Sequence, residues 1–102
     1  MKLPFGVYAA DELEAAVTWY ERERTGHGDL FASAVRRTVD RAARFPQSGV
    51  RAHGFDRERD VRRFSVLHFP YSVVTAIVNG RRAVVAVAHA SREPGYWYDR
   101  VK

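Results

Sequence analysis

The stretch Tyr71-Ser-Val-Val-Thr-Ala-Ile-Val78-Asn79-Gly80-Arg81-Arg-Ala-Val-Val-Ala-Val-Ala-His89 decides the fold. Two runs rich in β-branched residues flank Asn-Gly, the dipeptide best suited to a two-residue hairpin turn, because both of its positions accept positive φ. Both runs are apolar on both faces, which is the pattern of central strands covered on each side. One cover is expected to be helical; the other is either the C-terminal segment or a partner. With Val78 opposite Arg81, counting outward sets Ser72 opposite Val87 and Tyr71 opposite Ala88. His89 then lies at the far end of the hairpin, near Pro70 and His68.

Outward from the hairpin, Val61–Val66 reads as another strand, with Arg62, Phe64 and Val66 on one face and Arg63 and Ser65 on the other. A polar loop with Gly49 and Gly54 precedes it. Upstream, Phe31, Ala34, Val35, Thr38, Ala42 and Phe45 recur at helical spacing from about Asp29, the expected N-cap, until Pro46 stops the helix. Leu13, Val17 and Tyr20 mark an earlier helix, with Asp11-Glu-Leu-Glu14 in capping-box form at its start and Gly26 and Gly28 at its end. Leu3–Tyr8 reads as a first strand. The expectation is an α+β domain of order β-α-α-β-β-β, a helical hairpin packed on a small, mainly antiparallel twisted sheet. Residues 1–102 form a single domain.

The chain has no cysteine, which removes disulfides, thiolate nucleophiles and zinc–thiolate sites, and agrees with a cytoplasmic location. Its four histidines are scattered without ligand spacing, so neither metal nor cofactor is expected. No apolar run is long enough to span a bilayer, and no signal-peptide h-region opens the chain. The formal net charge is +5. Residues 1–60 carry ten basic and ten acidic groups; residues 61–102 carry seven basic groups against Glu93 and Asp99. The whole excess therefore falls in the C-terminal part. Fifteen of the seventeen cations are arginine, the side chain whose fork fits phosphate and carboxylate. A GC-rich coding sequence also favours arginine but does not produce the asymmetry.

The hairpin ends in His89-Ala-Ser-Arg92-Glu-Pro-Gly-Tyr-Trp97, so a strand delivers an imidazole, a guanidinium and the aromatics Tyr96, Trp97 and Tyr98 to one sheet edge. Arg62, Arg63, His68 and Tyr71 can reach the same surface. Such a set binds anions and in principle moves protons around a phosphate. Each residue also has a plain structural reading: the aromatics cap the core, Arg62 and Arg63 pair with Asp56, Glu58 or Asp60, and His89 bonds to backbone.

Ala43-Arg44-Phe45-Pro46, Gly49, Val61-Arg-Arg-Phe64, Phe69-Pro-Tyr71 and the closing His89–Trp97 motif, in this order, resemble the RelE/ParE toxin superfamily, and the closing motif its plasmid-stabilisation branch. The resemblance covers nearly the whole chain. It implies the toxin of a type II toxin–antitoxin pair, a small basic protein that inhibits growth and is neutralised by an acidic cognate antitoxin, meeting DNA only indirectly, through that antitoxin. ParE-like members poison DNA gyrase by binding. RelE-like members cleave mRNA on the ribosome, without metal, by driving a 2′-hydroxyl onto the adjacent phosphate. In the nuclease case Arg92 matches the family's strand-end arginine, with Arg63 beside it and His89 or Tyr98 as acid or base. In the gyrase case Arg62, Arg63, His68, Tyr71, Arg92, Tyr96 and Trp97 form a contact surface. The chain departs from the nuclease pattern: it has no lysine between Lys2 and Lys102, with only Arg57 and Arg59 as substitutes, and His68, Ser72 and Thr75 stand at positions of common Arg, Arg and Tyr. A ParE-like gyrase inhibitor is therefore the expectation. The alternatives are a RelE-like nuclease and a non-toxic interaction module of the same fold.

Overall fold

Asn79 and Gly80 take φ of 52° and 76°, so the turn forms as the dipeptide requires, with Val78 paired to Arg81. A computed structural model describes residues 3–101 and joins this hairpin, β3 (Tyr71–Val78) and β4 (Arg81–His89), to β1 (Val50–Arg51) and β2 (Arg62–Ser65). The sheet is antiparallel in the order β1-β2-β3-β4. Two helices precede it, α1 (Val7–Glu23) and α2 (His27–Arg44). The α+β class and the helical hairpin on a small sheet are as expected. No helix among the described residues is long and apolar enough to cross a membrane.

The first element differs in detail. Leu3–Tyr8 contributes a single parallel bridge, Phe5 to Val84, flanked by Gly6 N–H to Val84 O (2.9 Å) and Val84 N–H to Pro4 O (2.8 Å). The chain turns helical at Val7, so Gly6 is the N-cap. Asp11 and Glu14 are exposed within α1 and cap nothing, because the docking of Pro4–Gly6 on β4 sets the N-cap at Gly6 instead of Asp11. Gly26, at φ 90°, is the N-cap of α2 rather than the end of α1, and Asp29 lies inside the first turn of α2. Glu21 closes the helical hairpin by accepting the Gly26 and Gly28 amides, each at 3.1 Å. A Cβ on Gly28 would stand 2.8 Å from the Val17 carbonyl, so only glycine lets the helices approach this closely.

The register also departs from simple counting. Pairing runs regularly from Val78–Arg81 to Thr75–Val84, then slips, so that Val74 faces Ala86, Ser72 faces Ala88 and Tyr71 faces His89. Val85 is the extra residue of a β-bulge. A bulge places two successive side chains on one face and inverts those beyond it. Accordingly Val84 and Val87 pack with the helices, whereas Val85 and Ala86 both pack on the opposite side. The bulge thus sets which way the strand end presents His89.

Phe31, Val35 and Val73 lie in the core under the helices. The other sheet face is covered by Trp97 and Val101 from the C-terminal segment, with Val61 and Phe55 from the loop before β2. Of the two covers considered for that face, the chain supplies its own. The doubly apolar sheet is therefore not a vacant partner surface.

Candidate functional site

Where β4 ends, Ala90 N–H bonds to Pro70 O at 2.8 Å and Arg92 N–H to His89 O at 3.0 Å, so the chain leaves the sheet in a tight turn. The turn carries His89, Ser91 and Arg92 past the sheet edge. Gly95, at φ 80°, then reverses the chain against the Tyr98 ring; a Cβ there would meet Tyr98 Cε1 at 2.6 Å. Trp97 stacks on Phe55, with 5.8 Å between ring centroids, and Tyr98 meets the same Phe55 edge-on at 4.7 Å.

This geometry encloses a groove of about 350 Å³ over the end of the sheet, whose walls include Arg51, His53, Arg63, His89, Arg92 and Tyr98. Six expected site residues, Arg63, His89, Arg92, Tyr96, Trp97 and Tyr98, are thus brought together along its walls. Arg51 and His53 were not anticipated; they enter because β1 pairs with β2 and places Val50 opposite Arg63. The sequence signal was faint: two residues of strand inside a polar loop.

The other expected residues go elsewhere. Arg62 is turned from the groove and donates to Asp60 Oδ1 (2.9 Å) and Gly49 O (3.1 Å), as the local-pairing reading allowed. Arg82 reaches the same Asp60 carboxylate from the hairpin. Burial alone would raise the Asp60 pKa, but hydrogen bonds from Arg82, Arg62 and Gln47 outweigh it and hold the carboxyl below its ordinary range. His68 is exposed at φ 71° in the β2–β3 connection, away from the groove. Tyr71 lies under the helices in an aromatic cluster with Tyr20 and Phe31, and touches His89 edge-on at 4.9 Å. Trp97 does line the groove, but it is only 5% exposed and belongs to the core beneath it. Arg57 and Arg59 sit in a separate 3-10 turn and do not line the groove.

Two hydrogen-bond patterns define what the groove can do. His89 Nδ1 accepts the Ser91 backbone N–H at 2.9 Å, which assigns the ring proton of the neutral imidazole to Nε2. His89 then offers a donor, not a free base. Tyr96 gives its hydroxyl to Glu12 at 2.6 Å, while the Arg92 guanidinium lies 3.9 Å above its ring centroid. Burial, with Glu12 beside it, pushes the Tyr96 hydroxyl up to about 12.

Glu12 was invisible to motif reading and joins three separate parts of the fold. It accepts Arg100 at 2.8 and 3.1 Å, Tyr96, and the Val87 amide at 3.0 Å. It thereby ties α1 to the outer edge of β4 and to the C-terminal segment. Burial would raise its pKa, but the bonds from Arg100, Tyr96 and Val87 and the Arg100 charge together lower it.

The charge map changes as a result. Arg62, Arg82 and Arg100, three of the C-terminal cations, neutralise Asp60 and Glu12. The ion pairs of the described residues do not use Arg51, Arg63 or Arg92, which remain around the groove with Glu93 the only acidic residue lining it. Lys102 lies outside the described residues.

Residues 5–94 match the family described as ParE toxin of type II toxin–antitoxin system, parDE. The chain belongs to the ParE toxin family. Membership gives this ParE-family chain a toxin's role within a two-component system and a cognate antitoxin as its counterpart. The matched stretch holds β1 to β4 and the groove residues up to Arg92; Tyr96, Trp97 and Tyr98 fall beyond it. No individual curated protein matches the sequence.

Proposed function

We propose that this chain arrests growth by binding DNA gyrase and that an acidic cognate antitoxin holds it inactive, as in plasmid-stabilisation systems. The observation that carries this reading is the Ser91 N–H bond to His89 Nδ1. A nuclease needs a free base near the attacking hydroxyl and an acid near the leaving oxygen. At this strand end the imidazole lone pair is occupied and the Tyr96 hydroxyl is committed to Glu12, which leaves Tyr98 as the one candidate acid or base instead of the pair that cleavage requires. The free functionality is cationic and aromatic, which suits recognition. An acidic antitoxin segment is complementary to Arg51, Arg63 and Arg92. A gyrase target places the protein in the cytoplasm.

One observation favours the RelE-like alternative of ribosome-dependent mRNA cleavage: Arg63, His89, Arg92 and Tyr98 do share one groove. A paired assay separates the two. The purified chain is added to a gyrase supercoiling reaction, and mRNA ends are mapped after induction without antitoxin. Inhibited supercoiling with intact messages supports the proposal. Codon-dependent cuts abolished by Arg92→Ala, with gyrase unaffected, overturn it. Normal growth on induction with gyrase unaffected also overturns it, in favour of a non-toxic interaction module.

A further inference from the structure

We infer that the exposed face of α1 pairs with the same face of a second copy of this chain, as an antiparallel helix pair centred between Ala15 and Thr18. Leu13, Val17 and Tyr20 turn one side of α1 to the core. The opposite side carries Asp11, Ala15, Thr18 and Arg22, all exposed, at the i, i+4, i+7, i+11 spacing of a single helix stripe. Trp19, 53% exposed, and Glu14 flank the stripe, and these six side chains line one shallow hollow. A large aromatic beside a recess of small residues is the pairing from which interface anchors are built.

The order of charges along the stripe identifies the occupant. A two-fold axis midway between Ala15 and Thr18 sets Asp11 against Arg22 of the second copy, Ala15 against its Thr18, and the reverse of each. Opposite charges thus meet at both ends, and small side chains at the centre let the two helices close. Trp19 and Ala15 lie on the same flank of the helix, so the indole of each copy covers Ala15 of the other. No ion pair of the described residues uses Asp11, Glu14 or Arg22. A parallel pair would set Asp11 against Asp11 and Arg22 against Arg22. An acidic partner would meet the two carboxylates, Asp11 and Glu14, and is better matched by the arginines of the groove.

Helix length sets the strength. The 17 residues of α1 span about 25 Å, and one such helix against another stays below about 1,200 Å² of buried surface, the class of weak, reversible contacts. The groove opens on the other face of the sheet, where Val74 and Trp97 pack away from the helices. Pairing through α1 leaves it open, so the inference does not rest on the proposed function.

The test is sedimentation velocity of the full chain at rising concentration, up to about 500 μM. A reversible monomer–dimer equilibrium should appear with Kd roughly 10–100 μM. Asp11→Arg and Arg22→Asp should each weaken it about tenfold, because the symmetry turns one substitution into two like-charge contacts. An equimolar mixture of these two variants should dimerise to within about threefold of wild type, since every facing charge is again opposite in the heterodimer. Ala15→Arg, at the exposed centre of the stripe, should abolish the dimer. Arg36→Ala with Arg37→Ala, on the exposed face of α2, should leave it intact, and circular dichroism verifies folding of each variant. The inference is overturned by a wild-type chain that stays monomeric throughout, by a dimer indifferent to Ala15→Arg, or by a mixture no better than either variant alone. A monomeric wild type whose co-purification with its antitoxin is lost in Ala15→Arg gives the face to the antitoxin and equally overturns it.

Discussion

Replacing Glu12 by alanine should be among the most damaging single changes available outside the apolar core. The substitution removes acceptors from Val87 N–H, Tyr96 Oη and both terminal nitrogens of Arg100. It leaves a guanidinium only 19% exposed without its partner carboxylate. Breaking a buried ion pair from one side costs roughly 3–5 kcal/mol, and partial solvation of this one argues for the lower end, roughly 3 kcal/mol. A domain of this size typically holds 5–15 kcal/mol in total, and each kcal/mol shifts Tm by about 4–8 °C. The expected drop is therefore about 12–24 °C. Thermal unfolding followed by the fluorescence of buried Trp97 measures the drop, and urea unfolding the free energy behind it. Glu12→Gln, which keeps an oxygen but not the charge, should lose roughly half as much. The pH dependence supplies an independent check. Folding lowers the Glu12 pKa, so its contribution is fully present above its ordinary 4.5 and is lost as pH falls through the lower folded value. The gap between wild type and Glu12→Ala should accordingly narrow below about pH 4.5. A loss under about 0.5 kcal/mol, the range of ordinary surface substitutions, would refute the keystone role.

Two further outcomes test the surrounding structure. Gly49→Ala would place a Cβ 2.6 Å from the ring of buried Phe64 and should cost about 1–3 kcal/mol by overpacking, read as a lower urea midpoint. Tyr96→Phe should cost roughly 1.5–3 kcal/mol at neutral pH by losing its bond to a carboxylate. Because the folded pKa of Tyr96 is raised from 10.0 to about 12, its contribution is complete below pH 10 and lost as pH rises through 12. Wild type should therefore lose more stability than Tyr96→Phe across that alkaline window; parallel curves would sink the assignment.

Local chemistry was legible and long-range chemistry was not. Asn79-Gly80 announces its turn because the backbone demand is met within two residues. The faces of α2 follow from periodicity alone. Leu3–Tyr8, a short apolar run, carries no period that separates strand from helix. Its conformation is decided by Val84, nearly eighty residues away. The bulge at Val85 was hidden for a related reason. A run of Val and Ala from Ala83 to Ala88 has no alternation, so a slip in register leaves no trace in its pattern. In the site, Arg63, His89, Arg92 and Tyr98 were found because strand order brings them together. Glu12 offered only a motif-like setting, Asp11–Glu14, that suggested capping instead. Its real partners lie 75 to 88 positions along the chain.

Adjacent Arg62 and Arg63 now separate structure from recognition. The excess of arginine in the C-terminal part suggested one basic surface, but two carboxylates divide it. Asp60 takes Arg62 and Arg82, Glu12 takes Arg100, and the groove keeps Arg63 and Arg92. Strand alternation enforces the division, since neighbours on β2 face opposite sides. Arg62→Ala strips bonds to Asp60, Gly49 and Gln47 and should cost roughly 1–3 kcal/mol, with Arg82 still holding Asp60. Gyrase inhibition by that variant should survive wherever the protein remains folded. Arg63→Ala removes an exposed, unpaired side chain and should change stability by less than about 0.5 kcal/mol while weakening both growth arrest and gyrase inhibition. Urea midpoints and supercoiling assays on the two single variants give the comparison. If both lose stability alike, or both lose inhibition alike, the charge has not been partitioned as these contacts require.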